Sequence, residues 1–222
     1  LQRDYPSQAA ESPKAAEEFL NVSRLIISCF DYIDSAVSAV QELIANGVRR
    51  SSISVVVHRA AFEQIHSMAP SEVRILLDQP QSIYLSGIGP VLVSGPIAEA
   101  YCSAGNEPPT LVRLLEQEMV PDIYANAYTE GVRRRGALVV VKSDGRFSNR
   151  VLQCLDRFMP VDIIEWAAKW QKSGWTRFDE KAPPLVSEYL NWPSCITRSP
   201  YYESFIDEKP HRNWPMDLFR KN

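Results

Sequence analysis

The sequence predicts an α+β fold: a ferredoxin-like split βαβ sandwich, with a long helical and Gly/Pro-rich insert between its two βαβ units and extended N- and C-terminal arms. Two observations carry that expectation. A strand–helix–strand pattern occurs twice, over 25–57 and 138–164, and each copy has one apolar helical face that needs a sheet to cover it. Joined, the two copies would give four strands with two helices on one side. Both ends of the 222-residue chain lose this periodicity. Apolar residues make up 45% and charged residues 23%, which excludes wholesale disorder or a fibrous repeat.

The elements follow in order. Leu25–Phe30 (LIISCF) is a short apolar run of strand type. Asp31, with Asp34 three residues on, predicts a helix start resembling a capping box, because a carboxylate there can accept the free amides of the first turn. Ile33, Ala36, Val37, Val40, Leu43 and Ile44 then recur at spacings of three and four, one stripe along a helix. Asn46-Gly47 stops that helix, and Ile53–Val57 is a β-branched second strand. In the second copy Leu138–Val141 is the strand. Ser143-Asp144 is expected to cap a helix with the stripe Phe147, Val151, Cys154, Leu155 and Phe158. Pro160 ends it, and Val161–Ile164 is expected to be the fourth strand.

Three regions are expected: an N-terminal arm (1–22), a domain (23–170) holding the insert (58–136), and an aromatic, Pro-rich C-terminal arm (171–222). The N-terminal arm has a short helical signal over Pro13–Leu20. Within the insert, Ala60–Met68, Glu72–Leu77, Glu107–Leu115 and Pro121–Arg134 read as helices, and Ser82–Ser94 as extended chain. All five tryptophans fall at or after Trp166, and no glycine follows Gly174. A stretch rich in proline and aromatics, without helical or strand period, is expected to lack a core of its own.

Several strings resemble one family. YTEGVRRRGALVVV (Tyr128–Val141) is similar to the helix-to-strand join of the bacterial general stress proteins of the 17M type, found in heat-induced proteins. GIGPVLVSGPIAEA (Gly87–Ala100) resembles that family's Gly/Pro-rich middle segment. Leu25–Val57 looks like its first unit, and MPVDIIEW (Met159–Trp166) like its last. The resemblance spans roughly 24–166 and departs in its longer, less Ala/Gly-rich insert and in the C-terminal tail. It implies an α/β domain of intracellular stress-related proteins. It brings no established chemistry, so no catalytic residue is carried over.

Read for chemistry, the residues offer little. Cys29, Cys102, Cys154 and Cys195 form no CxxC pair, so neither a zinc ribbon nor a dithiol redox motif is expected. Four cysteines permit two disulfides, but Cys29 and Cys154 sit in apolar periodic segments. That favours buried reduced thiols and an intracellular, reducing compartment. His58 and His66 are eight apart, which fits neither HExxH nor a zinc-finger pair, and they are read as exposed helix or loop residues. No GxSxG is present. No catalytic residue, metal or cofactor is assigned. Gly87, Gly89 and Gly95, before Pro96, form a weak candidate ligand or phosphate site, although the string is neither GxGxxG nor GxxxxGK[ST]. Tight packing of a connection is the alternative. Arg49-Arg50 and Arg133–Arg135 each follow or end a helix, where cations suit the dipole; the functional version is a docking patch for an acidic partner or lipid headgroup.

With 24 basic residues against 27 acidic, the net charge is −3, which argues against a general nucleic-acid binder. No run of about 20 apolar residues suggests a spanning helix. In the tail, Trp192, Tyr201, Tyr202, Trp214 and Phe219 are spaced as protein-binding anchors. The 47 residues from Thr176 onward could reach on the order of 150 Å when extended, well beyond the domain itself. The expected function is a non-catalytic accessory subunit that docks on a large assembly, with other protein subunits as partners. The alternative is a free-standing stress protein, homodimeric and without enzymatic activity. A third reading is a small-ligand binder using Gly87–Pro96. The chain begins at Leu1, as a trimmed chain or one relieved of a leader would. With wrapping arms, that suits a mitochondrial, matrix-side complex near a membrane.

Overall fold

The computed structural model describes residues 23–66, 77, 80–105, 108–145 and 147–185, with only the backbone of 63–66. Five strands, β1 (Ser23–Phe30), β2 (Ile53–His58), β3 (Gln81–Leu85), β4 (Gly89–Ser94) and β5 (Ala137–Asp144), form one sheet in the order β1-β5-β2-β4-β3. Every neighbouring pair is antiparallel. The first and last recognised strands pair over their full length, from Ser23↔Asp144 to Phe30↔Ala137. Because β5 is antiparallel to both β1 and β2, those two run parallel, joined across it by α1 (Ile33–Ala45).

The helices of the two strand–helix copies share one face of the sheet, and further helices, whose face the sequence did not assign, cover the other. The cause is visible in the strands. β2 is buried at all its positions and β5 at Ala137–Val141, so successive side chains fill opposite cores. Val55, Val57, Val139 and Val141 face α1 and α6 (Ser148–Asp156), against Ile33, Val40, Leu43 and Leu155. Val56, Leu138 and Val140 face the other way, against α3 (Pro96–Ser103), α4 (Leu111–Gln117), α5 (Asp122–Arg133) and α7 (Ile163–Lys172). α2 (Arg59–His66) puts Ala61 into the first core. The insert therefore widens the sheet with the β3–β4 hairpin and roofs its second face. Its expected helix at Glu72–Leu77 falls outside the described residues apart from Leu77, and the Pro13–Leu20 signal lies wholly outside them.

Three local expectations are corrected. Val161–Ile164 is not a strand. Asp162 caps α7 instead, its carboxylate accepting the amides of Ile164 and Glu165 at 3.1 Å each. Only Val161 keeps a strand-like contact, donating from its amide to the Cys29 carbonyl at 2.8 Å. Asp31 does not cap α1: Tyr32 is the cap, without a side-chain bond, and the Asp31 carboxylate is taken by the amides of Asp31 and Tyr32 themselves. Phe147, not Ser143-Asp144, precedes α6, and Ser148 donates its hydroxyl back to the Asp144 carbonyl at 3.2 Å. Ile44 and Phe147, placed on the apolar stripes, are exposed.

The packed chain continues past residue 170. Trp170 and Phe178 are buried in the second core, with Trp166 and Trp175 packed beside them. The Trp170 ring meets those of Trp166 and Trp175 edge-on, with centroids 6.0 and 5.6 Å apart. The aromatic stretch from Trp166 thus shares a core with its own domain at least as far as Phe178. After α7, residues 175–185 form a strap that Phe178 anchors.

Candidate functional site

The sequence singled out the glycines first. Gly87 lies in the β3–β4 turn, Gly89 opens β4, and Gly95 caps α3, all with positive φ. Gly89 and Gly95 sit at opposite ends of β4, roughly 20 Å apart along an extended strand. A side chain at Gly95 would put its Cβ 2.1 Å from the Ile53 carbonyl oxygen, so β2 and the start of α3 touch through bare backbone. The Ile97 amide, which a phosphate would need, donates to Ser54 Oγ at 3.1 Å, and the Ala98 amide donates to the Gly95 carbonyl at 2.9 Å. At Gly87 a Cβ would meet Asp179 O and Phe178 Cζ at 2.7 Å each. The strap, not a ligand, occupies that approach.

Arg50, Arg133 and Arg134 have internal partners. Arg50 donates to Ile53 O at 3.1 Å and to Ser94 Oγ at 3.2 Å, pinning β2 to the end of β4. Arg133 and Arg134 flank the fully buried carboxylate of Glu130 at 3.5 and 2.7 Å. Arg134 also lies 5.0 Å from the centre of a Trp170 ring, and Arg133 donates to the Pro183 carbonyl at 2.9 Å, tying the strap to α5. Arg135 takes φ 73° just after α5. Its cation, second to burial, depresses the pKa of His58, which is buried at the end of β2 rather than exposed as expected. His58 Nδ1 accepts the Ala60 amide at 3.2 Å.

The described cysteines Cys29, Cys102 and Cys154 are free thiols. Burial, with Asp31 nearby, pushes the Cys29 thiol up to about 12, so it stays protonated and unreactive. The cavity beside it, against Gly131, Gly136 and Trp170, holds about 10 Å³, room for a single water at most. Among the described residues no group of three His, Cys, Asp or Glu side chains is placed to hold a metal ion. Among them, too, no helix is long and apolar enough to cross a membrane.

A larger opening lies on the first helical face. It is a cleft of about 370 Å³ between the turn after α1, the end of β5 and the start of α6. Leu43, Val48, Val151 and Cys154 supply its apolar lining. Arg49, Arg150, Lys142, Asn46, Ser52, Ser143, Asp144 and the exposed ring of Phe147 supply the rest of its chemistry. Arg150 donates to Asn46 Oδ1 at 3.1 Å, which holds the two walls together. Sequence reasoning placed Phe147 in a core stripe and Arg49 in a surface patch, and it did not bring these residues together. The signal was GRFSNR after a strand, an aromatic and a cation at a helix start that no cap explains.

The anchors Trp192, Tyr201, Tyr202, Trp214 and Phe219 lie outside the described residues. No family model matches the chain, and no curated protein or solved structure does either. The likeness to the 17M-type stress proteins therefore rests on the quoted strings alone.

Proposed function

We propose that the chain is a non-catalytic accessory subunit: its α/β body docks on a larger protein assembly, and its C-terminal anchors engage neighbouring subunits. One observation carries this reading. Among the described residues the last core member is Phe178, and Trp192, Tyr201, Tyr202, Trp214 and Phe219 come after it in the sequence. Large aromatic side chains are the usual energetic centres of protein interfaces. The absorbed glycines, the paired arginines and the protonated Cys29 support the same reading, since each already has a structural task. A matrix-side organellar complex remains the proposed setting.

We read the body as a split βαβ fold at heart. β1-α1-β2 is one half and β5-α6 the other, and the Val161 amide meets Cys29 on the free side of β1, where a fourth strand would pair. The insert then accounts for the second helical layer.

The test compares the tagged full chain with a form ending at Leu185, both sized in native extracts of cells that make the protein. The full chain is expected in a large species and the shortened form as a free domain. Both forms entering the same large species, or the full chain running alone as a monomer or dimer, overturns the proposal. The latter result is the one the free-standing stress protein predicts.

A further inference from the structure

We propose that the cleft between α1, β5 and α6 is a binding site for a small organic phosphate of mononucleotide size. The site is unrelated to the glycine segment and independent of the C-terminal anchors.

Its size comes first. About 370 Å³ lies in the range of small-molecule sites and far exceeds a water pocket. Its lining has the matching division of labour. Half-buried Val48 offers apolar surface above a buried floor of Leu43 and Val151, and polar side chains, among them Asn46, Ser52 and Ser143, surround it. Phe147 stands at the mouth with 53% of its surface exposed, a ring that helix packing does not require. A planar group can lie against it and remove both faces from water.

Charge fixes the anionic class. Lys142 is spent on Glu118 at 2.6 Å, and Arg150 meets only the neutral amide oxygen of Asn46. Arg49 shows no side-chain partner among the described residues. Two guanidiniums without a carboxylate thus border the cleft, one from each wall. Paired arginines suit a phosphate, whose oxygens accept the planar N–H fork. α6 starts in the same wall without a side-chain cap, and its dipole adds to the attraction. Asp144, on the strand wall, is placed to accept hydrogen bonds from ligand hydroxyls and disfavours a polyanion that fills the whole cleft. A monophosphate joined to a hydroxylated, ring-bearing body fits that arrangement better than a free anion does.

The experiment is calorimetric titration of the full chain with AMP and UMP, beside adenosine and inorganic phosphate, at low and physiological salt. At least one monophosphate is expected to bind saturably, at least tenfold more tightly than either adenosine or phosphate alone. Arg49→Glu, which breaks no contact in the described fold, is expected to weaken binding at least tenfold and leave the melting temperature unchanged. Phe147→Ala is expected to bring the monophosphate down to the level of inorganic phosphate. Arg150→Ala removes the Asn46 bond as well, so its binding loss counts only alongside an unchanged circular dichroism spectrum. No saturable binding by either monophosphate overturns the proposal. So does binding that Arg49→Glu leaves intact, or phosphate binding as tightly as the tighter of the two monophosphates.

Discussion

His58 closes β2 with its ring inside the fold, and burial, reinforced by the Arg135 cation, holds its pKa below the ordinary imidazole value. A hydrogen bond with the Ile88 backbone pulls the other way without reversing the shift. The unfolded chain therefore takes up a proton at His58 more readily than the folded one. The associated stability is present above the unfolded value of about 6.5 and drains away as pH falls from there toward the depressed folded value. The wild-type melting temperature is expected to drop between pH 7.5 and 5.5, and the drop should shrink in His58→Gln. Asp31 acts in the opposite direction, because its raised carboxyl pKa favours the fold as it becomes protonated. Equal slopes for the two proteins would show that His58 charges freely in the folded state. Sequence alone misplaced this residue for a physical reason. A polar side chain ending an apolar strand reads as the way out to solvent, but the Ala60 amide and the Ile88 backbone give its ring partners inside the fold.

At the scale of elements, helices with a clear apolar stripe were legible. The stripe over Ile33–Leu43 and the glycine stop at Gly47 both stand in the structure. Where local chemistry admitted two outcomes, the sequence misled. VDII over 161–164 has the β-branched content of a strand, yet Asp162 supplies a cap, and Ile163, Ala167 and Trp170 fall on one helical face. The cap and that face outweigh β propensity. The strap after α7 was illegible because it has no period at all. It is held by one buried ring, Phe178, whose amide donates to Asn126 Oδ1 at 3.2 Å, and by the bond from Arg133 to Pro183. Phe178→Ala is expected to cost about 3 kcal/mol in denaturant unfolding, through lost burial and an unfilled space against Gly87. Amide exchange at 176–185 should accelerate together with it. Unchanged exchange there would mean that the strap is held by its proline contacts instead.

Among the described residues one sheet serves two cores, and this couples parts that the sequence presents as separable. The alternation in β2 and β5 sends Val55 and Val139 to one face and Val56 and Leu138 to the other, so neither layer of helices can leave without baring half of each central strand. The second helical layer was not placed from sequence: strands apolar at nearly every position signal burial on both faces, and only the insert has enough helices to roof the second. Replacing 60–135 with a short turn would keep β1, α1, β2, β5 and α6 in their expected order. It would also leave Ile27, Val56, Leu138 and Val140 without the insert's cover, α7 alone being too small for the task. That protein is expected to be aggregated or to bind a hydrophobic dye such as ANS, whereas a chain ending at Leu185 is expected to melt in one cooperative transition close to that of the full chain. A shortened protein lacking 60–135 that stayed monomeric and melted sharply would show that the first core suffices by itself. The insert would then be an addition to a complete domain rather than half of its interior.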